Sequence, residues 1–120
     1  MEFKSINPYN GKVVGSYTAH SVAETEAMLN KAKEVFPSWR KRSVEDRSKL
    51  MVKAGQVLRD NVEEYAQMIS LEMGKPITEA RGEVLKCAWV CDYYAEKGAE
   101  FLANEVIKTE AQLSFVRHDA

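Results

Sequence analysis

The chain has 120 residues, with 17 Lys and Arg against 18 Asp and Glu and an apolar fraction of 45%. That length allows one domain at most, or part of one, and a formal net charge of -1 leaves no nucleic acid as an expected partner. No apolar run approaches the roughly 20 residues needed to span a bilayer, and the chain opens without an apolar signal core, so a soluble cytoplasmic protein without membrane contact is expected.

Phe3 to Ile6 and Lys12 to Tyr17 read as two short strands around Asn7-Pro8-Tyr9-Asn10-Gly11, whose Asn-Gly pair favours the positive φ of a hairpin turn. Ser21 and Glu24 then form a Ser-x-x-Glu capping box, and Val22, Met28, Leu29, Ala32, Val35 and Phe36 recur at helical spacing. This first helix is expected to end before Pro37, which disfavours helical geometry at its predecessor. Ser43 and Asp46 give a second start, with Leu50, Met51, Ala54, Val57 and Leu58 as its apolar stripe and Asp60 or Asn61 as its interruption.

The third helix carries Val62, Tyr65, Ala66 and Ile69 on one face and stops at Gly74, where glycine can take the left-handed conformation that closes a helix. Pro76 suits a first helical turn, and Glu79 and Glu83 place carboxylates near the positive end of a new macrodipole. A fourth and longest helix therefore runs from Pro76 to about Leu102, presenting Ile77, Ala80, Val84, Cys87, Ala88, Cys91, Tyr94, Ala95 and Leu102. Gly82 and Gly98 inside it each cost about 1 kcal/mol relative to alanine. Close approach of another backbone, or a break near Gly98, would account for them. Val106-Ile107-Lys108 and Leu113-Ser114-Phe115-Val116-Arg117 alternate as strands. The fold class is thus mainly α with short β-hairpins. A terminal hairpin with no later strand to cover it also predicts that more sequence follows Ala120.

Catalytic constellations are missing from the pattern. Cys87 and Cys91 are four apart on a helix, a spacing foreign to thioredoxin-like and zinc-ribbon motifs, and read as reduced packed thiols. His20 and His118 lie near the chain ends without a patterned carboxylate partner. The six glycines form neither Gly-x-Gly-x-x-Gly nor a Walker pattern, so no phosphate cradle is expected. Arg40-Lys41-Arg42 reads as a solvated connection, and Trp39, Trp89, Tyr93 and Tyr94 as packing aromatics. The residues alone leave two further readings open, a stand-alone helical interaction module and a thiol or metal protein built on Cys87 and Cys91.

Several ordered motifs carry a resemblance. Asn7-Pro8-Tyr9-Asn10-Gly11, Phe36-Pro37-Ser38-Trp39, Glu45-Asp46-Arg47, Leu71-Glu72-Met73-Gly74-Lys75-Pro76 and Glu79-Ala80-Arg81-Gly82-Glu83-Val84 together resemble the N-terminal region of NAD(P)-dependent aldehyde dehydrogenases, especially the succinate-semialdehyde dehydrogenase-like branch. The resemblance implies the N-terminal part of the α/β aldehyde dehydrogenase fold, with the Rossmann-like cofactor domain incomplete. Residues 1–103 would be the hairpin and helices of the cofactor-binding domain, and 104–120 the start of the oligomerisation strands. It implies a partner in the remainder of an aldehyde dehydrogenase chain, a homo-oligomer, and NAD or NADP bound by the whole enzyme but not by this chain alone. The family's catalytic cysteine, glutamate and oxyanion asparagine lie downstream, so no catalytic or cofactor-binding residue is expected here. Two sites carry over: Glu72 with the carbonyls of Ser5 and Ile6 around a monovalent cation, and Glu83, Lys86 and Cys87, with Val90 next along the face, at the mouth of the substrate passage.

Overall fold

The computed structural model describes residues 1–119; residue 120 of the expected C-terminal strand segment lies outside the described residues. Strands β1 (Glu2–Ile6) and β2 (Val13–Thr18) pair antiparallel, with Phe3 opposite Tyr17 and Ser5 opposite Gly15. The turn closes through the Asn7 amide on the Lys12 carbonyl at 2.9 Å and the Gly11 amide on the Asn7 carbonyl at 2.8 Å. Gly11 takes φ 69°, the left-handed geometry that its Asn-Gly setting favours. Register shifts between Ser5 and Ile6, a bulge that locally disrupts the ladder.

Helix α1 (Val22–Trp39) begins at the capping box read from the sequence: Ser21 Oγ accepts from the Glu24 amide at 3.2 Å, and Glu24 Oε2 accepts from the Ser21 amide at 2.7 Å. It does not stop before Pro37. The proline falls in the last turn, where its missing N–H removes a single bond to the carbonyl four residues back. The turn is secured again by the Arg40 amide on the Phe36 carbonyl at 2.9 Å and Ser38 Oγ on the Val35 carbonyl at 2.8 Å. No residue of α1 is buried, so its apolar stripe faces outward.

Helices α2 (Val44–Asp60) and α3 (Val62–Met73) both pack against α4 (Ile77–Phe101). Ser43 caps α2 by accepting from the Asp46 amide at 3.1 Å. Gly74 ends α3 with φ 72° and its amide on the Ser70 carbonyl at 3.0 Å. The core is small and made of small side chains: Ala66, Ala80, Val84 and Ala88, with Gly55 beside them. A Cβ on Gly55 would stand 3.1 Å from the Ala88 carbonyl oxygen, so α2 approaches α4 backbone to backbone.

The structure corrects several expectations. The inward face of α2 centres on Gly55, while Leu50, Met51, Ala54 and Val57 are exposed. Gly82 has nothing within 4 Å of its would-be Cβ, so no backbone approaches there, and α4 continues unbroken past Gly98. Cys87, Tyr94 and Leu102 of the expected α4 stripe are also exposed. The closing strands shrink to β3 (Glu105–Val106) and β4 (Phe115–Val116), two residues each, because a lone pair with no covering layer gains little from extension.

The molecule extends 67 × 40 × 23 Å with a radius of gyration of 20.6 Å, where a compact chain of this length would have about 14 Å. Its accessible surface is 9769 Å², against about 6,600 Å² for a compact monomer of this mass.

Candidate functional site

The corner between α3 and α4 brings the candidate residues into two groups. At the hairpin side, Ser5 Oγ donates to Glu72 Oε1 at 2.9 Å, joining β1 to the last turn of α3 across 67 residues of sequence. A Cβ on Gly74 would lie 3.0 Å from Pro8 Cγ, so the turn of the hairpin rests on the corner itself. Ile6 follows Ser5 on the other side of the bulge. Among the described residues no group of three or more His, Cys, Asp and Glu converges as a metal site, so a transition metal on Cys87 and Cys91 finds no further ligand of those types.

On the other side, Lys75, Gly82, Glu83, Lys86, Cys87 and Val90 line an open cleft of about 540 Å³. Helical geometry explains the grouping: positions 83, 86, 87 and 90 follow the three- and four-residue spacing that puts side chains on one face. Lys75 reaches this face from the loop before α4 and forms an ion pair with Glu83. Hydrogen bonding to Glu83, and then its charge, hold the Lys75 ammonium above its ordinary range. Among the described residues Lys86 forms no ion pair. The cleft therefore contains two ammoniums and one carboxylate.

The family resemblance named Glu83, Lys86, Cys87 and Val90 but not Lys75. Its signal was present: a lysine just before a helix start faces the acidic first turns of that helix, here Glu79 and Glu83. Gly82 was singled out for packing, whereas it opens space at the cleft. The helices holding the cleft are tied by the Arg81 fork on Glu63, at 2.8 and 2.9 Å, and by the Arg59–Asp92 pair. Hydrogen bonding to Arg81 keeps the Glu63 carboxyl below its ordinary range.

The cleft lining holds no paired nucleophile and base. Cys87 is exposed, no histidine lines its cleft, and Glu83 is engaged with Lys75. His20 and His118 are both exposed and lie outside it. A dinucleotide does not fit these residues either. The α4 N-terminus is preceded by Gly74-Lys75-Pro76, with no strand feeding a glycine-rich turn. Among the described residues no helix is long and apolar enough to cross a membrane.

Residues 1–120 match the profile of the aldehyde dehydrogenase family. The chain belongs to that family. It is 42% identical over 118 residues to a probable succinate-semialdehyde dehydrogenase [NADP(+)] of Synechocystis sp., covering 98% of this chain and 26% of that protein. A succinate semialdehyde dehydrogenase [NAD(P)+] of Escherichia coli is 38% identical over 114 residues, covering 95% of this chain and 25% of its own. The solved succinic semialdehyde dehydrogenase of Streptococcus pyogenes, in complex with NADP+, superposes with a TM-score of 0.87 at 31% identity, over 94% of this chain and 25% of that one. This aldehyde dehydrogenase chain thus spans about a quarter of the length of the curated relatives it matches. Its helices and two small strand pairs are those of a fragment of the fold seen in its structural neighbours.

Proposed function

We propose that this chain is the N-terminal scaffold of an aldehyde dehydrogenase that oxidises succinate semialdehyde to the dicarboxylic acid with NAD+ or NADP+. Residues 1–103 are the outer hairpin and helices of its cofactor-binding domain, and 104–120 begin the strands through which it forms a homo-oligomer. The observation that carries this is the 42% identity over 98% of the chain to the Synechocystis relative. The cofactor supplies the hydride acceptor when bound, and it is held by the remainder of the enzyme. This segment's own work is positional: the α3–α4 corner sets the cleft, and α4 presents Glu83, Lys86 and Cys87 as the wall of a substrate passage.

The same reading gives the hairpin a second task, holding a monovalent cation between the Glu72 carboxylate and the carbonyls of Ser5 and Ile6. The register skips Val14 of β2 opposite the Ser5–Ile6 step, and the ladder loosened at those two residues supports it. The Ser5–Glu72 hydrogen bond already aims one carboxylate oxygen at the strand.

The test is a segment exchange. With this chain in place of the matching quarter of the Synechocystis enzyme, the folded chimera should reduce NADP+ in the presence of succinate semialdehyde. A chimera that assembles and binds NADP+ but oxidises no aldehyde would overturn the proposal.

A further inference from the structure

The cleft beside the α3–α4 corner has a charge pattern that its volume makes informative. Lys75 is tied to Glu83 by an ion pair, while Lys86, on the same face, has no carboxylate partner among the described residues. Val90, Cys87 and Gly82 give the rest of the lining no opposing charge, while the Glu79 carboxylate, one turn back from Glu83, also acts on Lys75 and adds to its neutralisation. At about 540 Å³ and open to solvent, the space is far larger than a short-chain acid, so it cannot discriminate by snug fit. Charge acts at longer range. A wall of one net sign raises the local concentration of oppositely charged small molecules and their rate of arrival, and salt weakens the effect.

We infer that Lys86 draws the carboxylate end of the substrate into this cleft, so that the cleft favours anionic aldehydes over neutral ones by charge. The inference rests on the proposed function for the identity of the substrate, but its physical content is a property of this chain. Lys75 cannot supply the attraction while Glu83 neutralises it. Removing Glu83 should therefore add attraction, whereas removing Lys86 should abolish it. A lysine off the substrate's path predicts neither change in the preference for an anionic aldehyde.

Two measurements separate the cleft's field from the enzyme's substrate. In the chimeric enzyme, the ratio of kcat/KM for succinate semialdehyde to that for a neutral aldehyde of similar length should fall roughly two- to five-fold in Lys86→Gln. It should fall about ten-fold in Lys86→Glu and rise roughly two- to five-fold in Glu83→Gln, and all three differences should shrink at high salt. On the 120-residue chain with Cys91→Ser, Cys87 reports the same field through thiol exchange. The rate with a dianionic aryl disulfide, divided by the rate with a neutral dipyridyl disulfide, should follow the same order across the three variants; taking the ratio cancels any change in the thiol itself.

Both series moving in this order would support the inference. A thiol ratio indifferent to Lys86 overturns it even if the chimera oxidises succinate semialdehyde well. A thiol ratio that moves while the kcat/KM ratio stays flat overturns the substrate's use of this cleft and leaves the oxidation itself standing. Absence of aldehyde oxidation in a folded, NADP+-binding chimera instead overturns the proposed function.

Discussion

Two glycines in the helices receive the same substitution with opposite expected outcomes. Gly82→Ala on α4 meets open space, so it should show only the intrinsic gain of alanine over glycine in a helix, about 0.8–1 kcal/mol. Gly55→Ala on α2 should bring the same gain, but its Cβ would stand 3.1 Å from the Ala88 carbonyl oxygen, 3.2 Å from Asp92 Oδ1 and 3.3 Å from Arg59 Nη1. The two side chains can swing away. The carbonyl belongs to the α4 backbone and yields only if the helices separate, and overpacking of that kind costs about 1–3 kcal/mol. Gly55→Ala should therefore fall between neutral and about 2 kcal/mol destabilising, leaving a gap of about 1–3 kcal/mol between the two variants. Urea unfolding followed by far-UV circular dichroism, compared at constant slope, reads that gap directly. If Gly55→Ala stabilises as much as Gly82→Ala, the close α2–α4 approach is wrong.

Gly74→Ala should destabilise by about 1–2 kcal/mol, since its φ of 72° is left-handed and its Cβ would press on Pro8, and the same unfolding curves check it. Ser21→Ala removes the α1 cap and should cost about 1 kcal/mol of helix stability, seen as lost helicity. The Glu24 half of that box responds to pH with a defined sign. Hydrogen bonds from the Ser21 backbone and then its side chain lower the Glu24 pKa, so the contribution is fully present above the ordinary glutamate range and is lost as pH falls through the depressed value. Helicity that drops on acidification in the parent but less in Glu24→Gln, which has no carboxyl to protonate, would agree, whereas equal drops would refute it. The exposed stripe Met28, Leu29, Val35 and Phe36 should bind a hydrophobic dye in this chain, and binding should fall in the assembled chimera.

The local signals were legible in the sequence. The capping box at Ser21, the cap at Ser43 and the glycine stop at Gly74 depend on residues within one turn, and each appears where the pattern placed it. Pro37 misled because its effect on the preceding residue is a preference, which the last turn, closed by the Arg40 amide and Ser38 Oγ, overrides. The inward face of α2 was hidden for a different reason. Apolar periodicity marks side chains that shun water, and a contact made through Gly55 and Ala88 carries almost no such signal. The cleft was half legible: the family resemblance pointed to Glu83, Lys86 and Cys87, which share one helix face, whereas Lys75 joins them only through the corner's geometry.

The misplaced stripes have a common physical cause. The apolar faces of α1 and α2 are built for burial at helical period, yet α1 buries no residue and α2 buries only a glycine. The accessible surface exceeds that of a compact monomer of equal mass by roughly 3,200 Å², the size of a large protein interface. A surface of that extent, already patterned for contact, belongs against further structure. The relatives, of which this chain spans a quarter, have the length to provide it. The sequence thus encodes two sets of contacts. One closes within these residues around Ala66, Ala80, Val84 and Ala88; the other, carried by Met28, Leu29, Val35, Phe36, Leu50 and Val57, is exposed on this chain and free for further contact. A substitution in the first set acts on this chain's own stability, whereas one in the second acts when the covering surface is present.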